Sequence, residues 1–189
     1  MTDAVEIVSD LVKIPSVSPF GRNETERRER FERCREVLAY LEEFLQKQGA
    51  QTEQLVFEGG HDKWWYPVPN LYAELTIGDR KAADHKFLCY MGHIDVVPVG
   101  EEKLWRRPPF SGQIDEGFVW GRGATDMKGS VGAWISALEK LKAGKGVGVN
   151  LTIGTLITGD EEWAAVNGSD KVLAWMKANG KNPDAFIVG

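Results

Sequence analysis

The sequence has few cysteines, no long apolar run and no excess of positive charge, and each shortage excludes a class of protein. Only two of the 189 residues are cysteine, too few for a disulfide framework and without the spacing of a zinc knuckle. No apolar stretch approaches the ~20 residues that a membrane-spanning helix needs. The formal net charge of −5 offers no basic footprint for nucleic acid. We therefore expect neither a membrane nor a nucleic acid among its partners.

The N-terminus also lacks the pattern of a secretion signal. Asp3 and Glu6 stand where a signal peptide would carry Lys or Arg before an apolar core. Cys34 and Cys89 both lie in apolar patterns, where cysteine is a small core residue. The hydrophobic share of 42% and the charged share of 27% are ordinary for a globular protein. We expect a cytoplasmic protein whose cysteines stay reduced.

Apolar periodicity predicts helices and strands in alternation. Helical spacing marks residues 3–13, residues 24–48 between an Asn23 cap and Gly49, residues 127–141, and a last helix capped by Ser169. The predicted strands are residues 51–57, 71–77, 86–92, 149–156 and 185–188, with a β excursion at 113–120 and a loop at 59–69 that holds His61, Trp64 and Trp65. This order predicts an α/β fold of three layers, α/β/α, around a largely parallel central sheet.

Polar side chains collect where the buried strands end. His93 and Asp95 follow one apolar strand, two residues apart, so in extended backbone they point to the same side. Asp126 lies in a glycine-rich turn, and the pair Glu161 and Glu162 follows the next strand. A lone histidine at a strand end is more often a hydrogen-bonded structural residue, and a Glu-Glu pair is more often a solvated turn. Three clusters at one sheet edge shift the balance toward a site.

The residue types at this edge suit metal-assisted hydrolysis. His93, Asp126 and Glu162 are nitrogen and oxygen donors of the kind that zinc accepts, with no cysteine nearby. Consecutive side chains diverge, so one glutamate of the pair can bind metal while the other addresses a water molecule. A phosphate-binding loop at residues 121–129 is excluded, because the glycine spacing matches neither the Walker pattern nor the dinucleotide fingerprint.

Four linked motifs resemble the M20 family of metallopeptidases and deacylases. They are residues 92–98 (GHIDVVP), Trp105 with residues 108–110 (PPF), residues 121–129 (GRGATDMKG) and residues 158–162 (TGDEE). Their order and spacing match the family over nearly the whole chain. The resemblance implies a zinc-exopeptidase-like fold and an amide hydrolase that acts on small N-acyl amino acids.

The resemblance also implies a role for each candidate residue. His93 would bind one zinc ion, Asp126 would bridge two, and Glu162 would bind the second, with cobalt or manganese as possible substitutes. Glu161 would be the general acid and base, and Asp95 would orient His93. The peptide bond after Asp126 is often cis in this family.

Within that family the segment 165–173 is most similar to the enzymes that remove succinate from N-succinyl-diaminopimelate, on the bacterial route to diaminopimelate and lysine. Ile94 departs from that subgroup, which usually has Thr there. Acetylornithine deacetylases, aminoacylases and dipeptidases share the four motifs and remain alternatives.

The resemblance implies further parts that would follow residue 189. A dinuclear site needs roughly five protein ligands, of which three are present; His61 and His85 stand outside any motif. The other ligands, and a second domain through which the family forms homodimers, would lie beyond Gly189. We expect the chain to be the N-terminal portion of a catalytic domain, incomplete and inactive alone. A metal-binding domain without catalysis is the alternative from a different functional class.

Overall fold

The computed structural model describes residues 3–18, 21, 23–59, 66–144 and 148–189. Its helices are α1 (Ala4–Lys13), α2 (Glu24–Lys47), α3 (Gly129–Ala143) and α4 (Ser169–Ala178). Its strands are β1 (Gln51–Gly59), β2 (Tyr66–Ile77), β3 (Lys86–His93), β4 (Gln113–Asp115), β5 (Phe118–Trp120), β6 (Leu151–Thr158) and β7 (Ala185–Val188). Within the described ranges, no helix combines the length and apolar character that crossing a membrane requires.

Five of the strands form one central sheet in the order β1-β2-β6-β3-β7. The strands β6, β3 and β7 are parallel, whereas β1 and β2 are antiparallel to each other and β2 is antiparallel to β6. A short connection joins β1 to β2, which suits antiparallel pairing, and helical crossovers join the parallel strands. The predicted α/β class is confirmed, with a mixed sheet whose parallel half carries the candidate site.

Helices cover both faces of this sheet, so the predicted three layers are confirmed. Successive residues of a strand point to opposite faces, so the side chains of each strand are divided between two cores. On one face, α1, α2 and α3 pack against Leu71, Tyr90, Ile153 and Ile157, among others. On the other face, Val172 and Met176 of α4 pack against Tyr72, Phe87, Cys89 and Leu156. The sheet is therefore held in register by apolar side chains on both sides.

Local sequence signals mark both ends of the first two helices. The Asp3 side chain accepts a hydrogen bond from the Val5 amide at the start of α1, which ends just before Pro15. The predicted Asn23 cap is confirmed, because its side chain accepts the Glu26 amide at 2.9 Å. Gly49 follows α2 with φ +84°, a left-handed conformation that glycine adopts without steric cost.

The predicted loop at 59–69 is wrong at Gly59, which ends β1, and over residues 66–69, which begin β2. Pro67 and Pro69 lie within β2, but β6 pairs with β2 only from Asn70 onward. The prolines therefore lie where β2 has a single neighbouring strand, a position that tolerates a missing N–H. His61, Trp64 and Trp65 lie outside the described residues.

The predicted Ser169 cap is also wrong, since α4 begins at Ser169 itself and Gly168 is its N-cap residue without a side-chain bond. A Cβ atom on Gly168 would collide with the Asp160 carbonyl and lie 2.6 Å from the Thr158 hydroxyl. Close packing against the end of β6 therefore selects glycine at the cap position. The β excursion predicted at 113–120 is confirmed, and it consists of two short antiparallel strands, β4 and β5.

Candidate metal centre

The parallel strands β3 and β6 end side by side. In their register His93, the last residue of β3, is opposite Thr158, the last residue of β6. The Ile94 amide donates to the Thr158 carbonyl at 2.9 Å, which keeps the two chains together one residue further. Whatever follows β6 therefore emerges beside His93, and the chain that follows is the acidic segment 160–162.

Three of the residues predicted from sequence converge at this edge. One ligand atom each of His93, Asp126 and Glu162 lies within 4.8 Å of the other two, and His93 Nε2 is 3.1 Å from Asp126 Oδ1. His85 is not among them, because its Nε2 bonds Thr152 Oγ1 at the opposite end of β3. Among the described residues this is the cluster of side chains that can hold a metal ion.

His93 is held in one orientation by the residue two positions later. Its Nδ1 lies 3.0 Å from the backbone carbonyl of Asp95 and 3.5 Å from the Asp95 carboxylate. The predicted orienting contact therefore comes mainly from the main chain of Asp95. Since Nδ1 donates to that carbonyl, Nε2 faces the cluster, where it can bind a metal ion once its proton leaves. Burial lowers the pKa of His93, but the bonds and charge of Asp95 outweigh it and raise the pKa to about 9.

Asp95 has a second role, through its carboxylate, that the sequence does not predict. It is fully buried and accepts the backbone N–H groups of both Glu161 and Glu162, at 3.1 and 3.0 Å. Asp95 therefore holds the histidine with its backbone carbonyl and the backbone of the glutamate pair with its carboxylate. Bonds from two N–H groups to an ionised acceptor are strong, because the acceptor is charged.

The turn that carries Asp126 depends on close backbone contacts. Gly123 has φ +84°, and a Cβ atom there would lie 2.5 Å from Val96 Cγ1. The Asp126–Met127 peptide bond is cis, as the family resemblance implies. Two residues later the Lys128 ammonium is buried and donates to the carbonyls of Leu11 and Ile14, both at 2.8 Å; burial lowers its pKa to about 7.

The three consecutive acids after β6 have different surroundings. Asp160 is 1% exposed, whereas the Glu161 side chain is 56% exposed, with Oε2 3.7 Å from His93 Nε2. Asp160 accepts the Tyr66 hydroxyl at 3.1 Å and the Asn167 amide at 3.1 Å. Sequence analysis did not identify Asp160, Tyr66 or Asn167. Only Asp160 gave a signal, as the acid directly before the candidate pair.

The electrostatics of the cluster favour a cation. Burial raises the pKa of Glu162, and the neighbouring Asp126 carboxylate raises it further, because a second negative charge nearby disfavours ionisation. A cavity of about 240 Å³ opens here, lined among others by His93, Asp126 and Glu161. An imidazole nitrogen with two carboxylate oxygens, open on one side, is the donor set of a catalytic zinc site. The residues present therefore fit a zinc ion.

Comparison with known proteins gives a consistent picture. Residues 89–189 match the model of peptidase family M20/M25/M40. The succinyl-diaminopimelate desuccinylase of Xanthobacter autotrophicus is 36% identical over 183 residues, which is 97% of this chain and 42% of that enzyme.

Solved structures with the same fold include two peptidases. Human carnosine dipeptidase 1 superposes with a TM-score of 0.77 and 26% identity, over 98% of this chain and 38% of that one. The M20 family metallo-carboxypeptidase Sso-CP2 of Sulfolobus solfataricus superposes with a TM-score of 0.74 and 27% identity, over 100% and 37%. The chain thus spans about two fifths of the length of these relatives.

Proposed function

Because the chain belongs to peptidase family M20/M25/M40, we propose that it carries the metal- and proton-handling part of a zinc-dependent amide hydrolase. The observation that carries the proposal is the convergence of His93, Asp126 and Glu162 within 4.8 Å at the end of the parallel strands. Glu161 stands beside this trio on the solvent side. Family membership alone does not point to particular residues, and the geometry supports the choice of these four.

The roles follow from what each side chain can reach. His93 and Glu162 would each hold a zinc ion, and Asp126, whose side chain is 74% exposed, would be shared by the two ions of a two-zinc site. When bound, zinc supplies Lewis acidity for the scissile carbonyl and the attacking water. Glu161 takes the proton of that water and returns it to the departing amine. Asp95 keeps His93 and the glutamate pair in place.

For the substrate, we propose an N-acyl amino acid, and specifically an N-succinyl amine of the diaminopimelate type. The support is the 36% identity to a succinyl-diaminopimelate desuccinylase along nearly all of this chain. A dipeptide is the second candidate, because the two peptidases above have the same fold at 26% and 27% identity.

Assembly and compartment are proposals of the same kind. As the family resemblance implies, we propose that the whole protein is a homodimer through a second domain. We also propose a reducing, cytoplasmic setting, in which Cys34 and Cys89, both buried and free, stay reduced. A lysine-biosynthetic role depends on the succinyl substrate and stands or falls with it.

The proposal is tested by titrating zinc into the chain and into three variants, two at predicted ligands and one control. His93→Ala should weaken zinc binding by at least tenfold, and Asp126→Ala should do the same. His85→Ala is the matched control, because it removes an imidazole from the other end of β3. Equal zinc affinity in His93→Ala and His85→Ala would refute the metal site.

Hydrolysis is tested separately, in a protein that has all the metal ligands of the family. Three substrate types are compared: N-succinyl-diaminopimelate, an N-acetyl amino acid and a dipeptide. Cleavage of the succinyl compound above the other two supports the specific proposal, and preferential cleavage of the dipeptide favours the second candidate. If that protein binds zinc tightly but cleaves none of the three substrates, the result favours the alternative of a metal-binding domain without catalysis.

A further inference from the structure

Asp160 is the acid of the 160–162 segment that cannot reach the cluster. It is 1% exposed, and both of its carboxylate oxygens lie 3.1 Å from the Tyr66 hydroxyl. Oδ2 also accepts the Asn167 amide at 3.1 Å. A buried carboxylate is costly unless it is hydrogen-bonded, and here two partners from different parts of the chain satisfy it.

These partners are themselves fixed. The Asn167 side-chain amide donates to the carbonyls of Gly59 and Tyr66, at 3.1 and 2.8 Å. The Asn70 side chain donates to the Asn167 carbonyl at 3.1 Å. Asp160 is therefore bound to a polar network that ends on the backbone of β1 and β2 and, through Asn167 Oδ1, on Lys171 in the first turn of α4.

The glutamate pair is thus held from two sides. On one side, the Asp95 carboxylate accepts the backbone N–H groups of Glu161 and Glu162. On the other side, Tyr66 and Asn167 donate to the carboxylate of Asp160. The backbone N–H of Asp160 donates to Thr158 Oγ1 at 3.2 Å. With Asp160 fixed inward, the next two side chains leave the backbone on the open side, beside His93.

We infer that Asp160 is a positioning residue that acts through the backbone, with Tyr66 and Asn167 as its supports, to set where Glu161 and Glu162 stand. The inference rests on the proposed function, in which Glu162 binds zinc and Glu161 moves the proton. It assigns to Tyr66, 94 positions away from Asp160 in sequence, an influence on metal binding without any contact with the metal ligands.

The chain supplies a matched pair of tyrosines to test this. Tyr66 and Tyr72 both lie on β2, are 1% and 2% exposed, and donate their hydroxyls to buried carboxylates, Asp160 and Glu74. Tyr66→Phe and Tyr72→Phe therefore each remove one buried hydroxyl from the same strand. Only the first removes a support of the glutamate pair.

Zinc affinity, the absorption spectrum of the cobalt-loaded chain and amide hydrogen exchange are measured for both variants. Tyr66→Phe should weaken zinc binding about tenfold, the lower end of the effect expected for groups that support metal ligands. It should also change the cobalt spectrum at saturation and, without metal, speed exchange in residues 158–168. Tyr72→Phe should leave zinc affinity within about twofold of the unmodified chain.

Several outcomes would overturn the inference. Unchanged zinc affinity and unchanged exchange in Tyr66→Phe would do so, as would an equal loss of affinity in the two variants, which would mean general destabilisation. If Tyr66→Phe does not fold, Asp160→Asn replaces it, with Glu74→Gln as its control and the same criteria. Failure of the unmodified chain to bind zinc would instead count against the proposed function, so the two results are distinguishable.

Discussion

Asp95 shows how much one buried side chain can determine. Its carboxylate accepts two backbone amides, and its carbonyl fixes the tautomer of His93. In Asp95→Asn, an NH₂ group would face an N–H donor, and a buried donor left unsatisfied costs about 1–3 kcal/mol. We expect that loss in the free energy of unfolding, together with zinc binding weakened about 10- to 100-fold.

Calorimetric zinc titration and denaturant unfolding would measure both effects of Asp95→Asn. The control is Asp84→Asn, which makes the same chemical change at an exposed residue whose carboxylate accepts the Asn150 side chain. If the two variants bind zinc equally well, the Asp95 carboxylate does not hold the site together.

The two glutamates of the pair should respond differently to the same change. Glu162→Gln removes a charged ligand, so the zinc content of the chain should fall. Glu161→Gln should leave zinc content nearly unchanged, while turnover, where it is measured, should fall about 10²- to 10⁴-fold because the general base is lost. Zinc content by mass spectrometry beside an amide-cleavage assay separates the two, and the opposite pattern would reverse the assignment.

At the scale of single residues, the sequence predicts the groups that carry chemistry better than the groups that support them. His93, Asp126 and the glutamate pair stand at strand ends or in a glycine-rich turn, which are local signals. The hydrogen bond between Tyr66 and Asp160 joins residues 94 positions apart, and no local sequence pattern predicts it. The backbone contacts of Asp95 likewise depend on the register of β3 and β6.

Among the elements, the turn before α3 imposes a strict demand on sequence. Gly123 and Gly117 have φ of +84° and +81°, but a Cβ atom at Gly117 would meet no atom within 4 Å, whereas at Gly123 it would meet buried Val96. Gly117→Ala should therefore cost only the ~1–2 kcal/mol of a left-handed non-glycine residue. Gly123→Ala should cost more and should also weaken zinc binding, since Asp126 must move.

Unfolding in denaturant and zinc titration of these two alanine variants would check this expectation. Equal stability losses would mean that Val96 gives way at no cost and that the conformation of Gly123, not the space around it, is what matters.

Element boundaries were predicted well where the signal is local and poorly where tertiary packing decides. Asn23 and Gly49 mark the ends of α2 as expected. The start of α3 was predicted at Met127, but the helix begins at Gly129, because Asp126 and Met127 have non-helical backbone angles. Gly168 replaces Ser169 as a cap because the end of β6 leaves room only for glycine.

At the scale of the whole molecule, an ion cluster around one buried carboxylate connects distant segments. Glu74 on β2 is 6% exposed and accepts the Tyr72 hydroxyl at 2.7 Å, the Lys181 ammonium at 2.9 Å and the Arg80 guanidinium at 3.2 Å. Burial alone would raise the pKa of Glu74, but the tyrosine bond and the two cations outweigh it, and the pKa is lowered.

This shift has a definite sign for stability. A carboxyl group whose pKa is lower in the folded state stabilises the fold above its unfolded pKa, about 4.3, and loses that contribution as pH falls through the folded pKa. The gap in unfolding free energy between the unmodified chain and Glu74→Gln should therefore be largest near pH 7 and shrink below about pH 4.3. Denaturant unfolding from pH 7 to pH 3 would show it, with exposed Glu53→Gln as the control; a constant gap would contradict it.

The buried ammonium of Lys128 makes this lysine a built-in reporter. An amine-reactive reagent can modify exposed Lys140 at once, but it can acylate Lys128 only after α1 has separated from the turn that carries Asp126, because both Leu11 and Ile14 hold its Nζ. Mass-spectrometric labelling rates at these two lysines should therefore differ widely. A bound ion would stabilise that turn, so added zinc should slow the acylation of Lys128 and leave that of Lys140 unchanged. The acylation rate of Lys128 therefore reports how often α1 separates from the rest of the fold.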